Sequence, residues 1–60
     1  MECTIKFDMD NAAFDNEPQR ETSSLLIELA SRVLNKGCQS GTTYPIRDSN
    51  GNKIGEAVFE

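Results

Sequence analysis

The stretch RDSNGNKIGEAVFE, Arg47 to Glu60, carries the reading that decides the fold. Its centre, Ser49-Asn50-Gly51-Asn52, places Asn-Gly where a tight hairpin needs it, because a type I′ turn demands positive φ at both central residues. The flanks, YPIRD before and KIGEAVFE after, read as two short strands rich in apolar and β-branched residues. Pro45 removes a backbone donor, so its strand is expected at a sheet edge or to begin after that residue. The second strand has a phase conflict. Regular alternation puts Ile54 and Val58 on one face, and Ala57 and Phe59 on the other. A bulge at Gly55 would re-phase the strand and turn Ile54, Ala57 and Phe59 to one side. That bulge is the expectation here.

Upstream, CQSGTT reads as a linker, and the segment before it reads as one amphipathic helix from Pro18 to Lys36. Asn16 is the expected N-cap, Pro18 suits the first turn, and Glu17 and Glu21 complement the positive end of the helix dipole. Gln19 then falls at the position a capping box uses. Leu25, Leu26, Leu29 and Val33 recur at helical spacing on one face, flanked by Thr22, Ala30 and Leu34. Arg32 and Lys36 lie near the C-terminus, and Gly37 is the natural residue to follow it. Nearer the start, CTIKFDM alternates: Cys3, Ile5, Phe7 and Met9 face one way, and Thr4, Lys6 and Asp8 the other. This period of two predicts a half-buried strand. DNAAFDNEP breaks it as a loop, with Phe14 expected to plug one end of the core. The order is β-α-β-β in one small α+β domain spanning 1–60. One helix should pack on a three-stranded sheet that ends in the C-terminal hairpin. One sheet face then has no covering layer, and an edge strand stays unpaired and open to self-association or a partner.

A chain of sixty residues buries only about 60% of its unfolded surface, and such a core supplies roughly 3–5 kcal/mol. The net charge of -4 is unevenly placed. Residues 1–28 hold seven acids against Lys6 and Arg20, a balance of -5, while residues 29–60 balance at +1. An acidic half argues against binding a phosphate backbone, where Lys and Arg supply most of the affinity. It suits solubility or contact with a basic protein surface. No signal peptide or membrane-spanning run is read in the sequence. Cys3 and Cys38 are too few for a disulfide framework and are expected as free thiols in a reducing cytoplasm.

Catalytic chemistry has little to draw on. There is no His, and no base is spaced to activate either thiol. A calcium loop starting at Asp48 matches at Asn50 and Asn52, but Lys53 stands where Gly belongs and Phe59 where the bidentate Glu belongs. Starting at Asp8, Ala12 and Gln19 fail in the same way. The expectation is a non-enzymatic chain with no cofactor and no metal. The residues singled out for binding are Asp8, Asp10 and Asp15 in the acidic half, and Arg47 and Lys53, the cations flanking the hairpin turn.

The pairing of DNAAF (Asp10 to Phe14) with RDSNGNKIG (Arg47 to Gly55) resembles a group of very short proteins encoded by phages and prophages. Those carry a similar first strand and DNAAF loop, one amphipathic helix and a terminal RDxNGNxxG hairpin. The resemblance covers Thr4 to Phe59. The chain departs from it at Ala57, where members often carry a bulky aromatic. The group has no activity to carry over. The resemblance implies a phage or prophage accessory protein in a bacterial cytoplasm. The leading expectation is a binding module acting on a host or phage protein, with inhibition as one form. The alternative is a small homodimer that binds a small molecule or nucleotide at its interface, with Arg47 and Lys53 as anion ligands.

Overall fold

Three antiparallel strands form the sheet: β1 (Cys3–Phe7), β2 (Thr43–Arg47) and β3 (Lys53–Phe59), in the order β1-β3-β2. The computed structural model describes every residue from Met1 to Glu60 and shows the expected α+β architecture. The last strand is therefore the central one, and β1 and β2, the two edges, run parallel to each other on either side of it. Helix α1 (Pro18–Lys36) connects those edges, preceded by a single 3-10 turn at Ala12–Phe14.

Register explains the faces. Ile5 lies opposite Ala57, and Tyr44 lies opposite Ala57 from the other side, so these residues share the face that meets the helix. There the core forms from Phe14, Leu25, Leu29, Tyr44, Ile46, Ala57 and Phe59, with Ile46 and Ala57 fully enclosed. Phe14 closes one end, its ring 6.5 Å from that of Phe7. Tyr44 meets Phe59 edge to face at 6.1 Å, and its hydroxyl donates to the carbonyl of Gly37 at the end of the helix.

Four local expectations change. The bulge lies at Ile54 rather than Gly55: Ile46 pairs with Gly55, and Arg47 with Lys53, which leaves Ile54 as the extra residue. The consequence foreseen is nonetheless observed, since Ile54 packs against the cluster that holds Ala57 and Phe59. Gly55 serves a different need. It lies in register with Phe7, and a Cβ there would sit 2.5 Å from the Phe7 Cα, so only glycine admits β1 so closely. The turn also differs from type I′. Asn50 does not take positive φ, Gly51 alone does (+87°), and the Gly51 N–H donates to the Asp48 carbonyl at 3.0 Å. The loop is thus Ser49 to Gly51, a three-residue hairpin connection. At the helix start the cap residue is Glu17, not Asn16, and no side chain accepts a bond from the first turn. Pro18 at the first helical position lacks an N–H to be capped, which removes one of the groups Asn16 would have served.

The fourth change concerns coverage. Strand β1 presents Cys3 and Ile5 toward the helix side, yet both are exposed, Ile5 at 45%. Helix α1 is drawn over β2 instead. Arg32 reaches across that edge, donating to the Pro45 carbonyl at 2.6 Å with its guanidinium 5.7 Å from the Tyr44 ring centre. Leu26 consequently faces a groove rather than the core, and is 40% exposed.

Candidate functional site

Asp48 is the one buried charged side chain, and it ties the loop after β1 to the β2–β3 hairpin. One carboxylate oxygen accepts the backbone N–H groups of Asn50 and Asn52, both at 2.9 Å. The other accepts from Asn11 Nδ2 at 2.8 Å and from Asn52 Nδ2 at 3.4 Å. Asn11 in turn accepts the Ala13 N–H at 3.0 Å, starting the 3-10 turn that delivers Phe14. The Asp of the hairpin motif and the Asn of the DNAAF motif are therefore direct partners. No cation contacts the carboxylate; neutral donors take over the role of water, as a buried charge requires. Glu21 adds a third tether, its carboxylate accepting the Ser49 N–H at 2.7 Å from the first turn of α1.

The largest cavity, about 520 Å3, lies apart from this network, at the end of the sheet where β1 leaves β3. Phe7 and Ile54 supply its apolar lining, and Lys6, Lys53, Asp8, Asp10 and Glu56 its charged lining. Lys53 pairs with Glu56 at 3.3 Å, and Asp8 holds its own loop by accepting the Asp10 N–H at 2.9 Å. The cleft thus carries both signs over a small apolar floor, and its loops are held before anything binds.

Of the five residues singled out from the sequence, the structure gathers Asp8, Asp10 and Lys53 on this cleft. Arg47 lies elsewhere: it donates to the Gly51 carbonyl at 3.3 Å and borders a second cavity with Glu21, Glu28 and Ser49. Asp15 ends the 3-10 turn, exposed and away from the cleft. Arg47 and Lys53 are register partners across the hairpin but border different cavities. Sequence reading passed over Asp48 except as a calcium ligand that failed. The spacing Asp48-x-Asn50-x-Asn52 was the available signal, since an Asp that accepts from N–H groups two and more residues on organises a turn without any metal. No group of three or more acidic or thiol side chains is placed to hold a metal ion, and Cys3 and Cys38 are both free. No helix is long and apolar enough to cross a membrane.

A second surface is wholly apolar. Ile5, Leu26, Leu29, Ala30, Val33 and Phe59 line an open groove between β1 and α1. It is the gap left where the helix leans toward β2.

No known protein family, no curated protein and no solved structure matches this chain.

Proposed function

We propose that this chain is a small non-enzymatic binding module, a phage or prophage accessory protein that acts by contact with a host or phage protein in a bacterial cytoplasm. The observation that carries the reading is the cleft itself, with Asp8, Asp10 and Lys53 on its rim and its first loop ordered by the Asp8–Asp10 hydrogen bond. Loops ordered before binding lose less freedom on association, where each immobilised side chain otherwise costs about 0.5–1.5 kcal/mol. The likeness of DNAAF and RDSNGNKIG to phage-encoded proteins supports the setting, and the contact between those two motifs supports treating them as one unit.

The test is affinity capture from nuclease-treated bacterial lysate, comparing the native chain with Asp8→Lys/Asp10→Lys and with Lys53→Glu. One protein captured in stoichiometric amount, and lost from both variants while their circular dichroism is unchanged, is the expected result. Capture that survives both reversals removes the cleft as the contact surface. A second reading, a homodimer that holds a small molecule at its interface, is favoured by the position of the cavity beside the edge strand β1. Native mass spectrometry of freshly purified protein tests it, the expected result being a retained mass on a dimer.

A further inference from the structure

We infer that a second copy of this chain docks on the β1 edge, pairing β1 with β1 antiparallel about a two-fold axis at Thr4, so that two three-stranded sheets become one of six strands. The dimer is the one the second reading above requires, but it needs no bound molecule and stands without the first reading.

The two edges of the sheet are not equivalent. On β2 the backbone groups of Tyr44 and Ile46 serve β3, which leaves Thr43, Pro45 and Arg47 facing outward. Pro45 has no N–H, and its carbonyl is already taken by Arg32 at 2.6 Å. That edge is blocked at its centre. On β1 the inner bonds belong to the even positions, as the pair Glu2–Glu60 and the Asp8 N–H to the Ile54 carbonyl show. Cys3, Ile5 and Phe7 therefore aim their N–H and C=O groups outward with no partner, the condition for strand addition. Beside this edge lies the groove of Ile5, Leu26 and Ala30, which a lone chain leaves uncovered.

Charge selects both the occupant and the register. With Thr4 opposite Thr4 of the second copy, Glu2 stands opposite Lys6 twice, and Cys3 opposite Ile5 twice. Lys6 already faces Glu56 across β3, so each lysine comes to lie between two carboxylates. A shift to an Ile5-centred register puts Glu2 opposite Asp8 at both ends, and a Lys6-centred one puts the two lysines together; like charges directly opposite destabilise a sheet. On the other face the two apolar grooves meet along one seam, with Ile5 and Leu26 of each copy beside the axis. Sequence self-complementarity of this kind is what a two-fold interface demands.

The experiment uses the full chain with Cys3→Ser and Cys38→Ser, to which Thr4→Cys or Ile5→Cys is added. Directly opposed residues at a non-hydrogen-bonded site have Cα atoms about 4.5 Å apart, within disulfide reach. Mild oxidation is expected to convert Thr4→Cys to a covalent dimer of twice the 6.7 kDa chain mass and to leave Ile5→Cys without a cross-link. The uncrosslinked native chain should sediment as a dimer and melt at a temperature that rises with concentration. Ile5→Lys, at an exposed position, should fold by circular dichroism yet sediment as a monomer. A native chain that is monomeric at every concentration up to the solubility limit overturns the inference and returns the edge to a foreign strand. Cross-linking of Ile5→Cys instead of Thr4→Cys overturns the register.

Discussion

At the scale of single residues, Asp48 contributes more to this fold than its place in a loop suggests. Four donors converge on its carboxylate, two of them backbone N–H groups with no other acceptor. Removing it leaves those donors short of partners in a partly buried site, at about 1–3 kcal/mol for a group stranded in this way. Asp48→Ala is therefore expected to lower stability by that order in urea unfolding, and to loosen the DNAAF loop along with the hairpin. Hydrogen exchange at Ala13 is the sharper readout, because its N–H bonds to Asn11, which Asp48 holds. An Ala13 amide as protected in the variant as in the native chain would show that the two loops are ordered independently. The pairing itself was not legible from the sequence. Thirty-seven residues separate Asn11 from Asp48, and nothing local at either position specifies the other.

At the scale of elements, the helix was readable in extent but not at its start. Apolar spacing at Leu25, Leu29 and Val33 and the stop at Gly37 are local properties, and α1 runs from Pro18 to Lys36 as that pattern predicts. The cap depends on where the chain enters the first turn. The preceding loop is bound up with the 3-10 turn, and it leaves Glu17 at the cap position with no capping bond to its side chain. That gap is an opening for stabilisation. Glu17→Ser should add about 0.5–1 kcal/mol by accepting a free N–H of the first turn. It gives up only the exposed Glu17–Arg20 pair at 3.4 Å, and such pairs contribute little. Thermal unfolding would read the gain as a raised midpoint, and an unchanged midpoint would mean that the backbone at Glu17 cannot present the serine hydroxyl. The hairpin gives the complementary lesson. Asn-Gly predicted a tight turn, and a tight turn formed, but the Asp48 carboxylate captured the amides of Asn50 and Asn52 and left positive φ to Gly51 alone.

At the scale of the whole molecule, the core is seven buried side chains, and only Ile46 is large and fully enclosed. Truncating an enclosed isoleucine costs about 2–5 kcal/mol, against roughly 3–5 kcal/mol that a core of this size supplies. Ile46→Ala should therefore lose most of its cooperative unfolding transition at 25 °C by circular dichroism, and a variant that melts like the native chain would mean that stability comes chiefly from elsewhere. The sequence by itself determined the element order, the extent of the helix, the residues of β1 and β3 that share a face, and the presence of a turn between β2 and β3, because periodicity and turn chemistry act over a few residues. It also placed Asp8, Asp10 and Lys53 among the residues of interest, from charge alone. Only the tertiary structure decided that β3 runs between the other two strands, that Arg32 draws the helix over β2, and that Arg47 and Asp15 lie apart from the cleft. Those outcomes rest on contacts between residues far apart in the chain, whose strength depends on geometry that no local pattern encodes. The open β1 edge follows from the same cause: with one helix and a strand order of β1-β3-β2, covering one edge leaves the other bare.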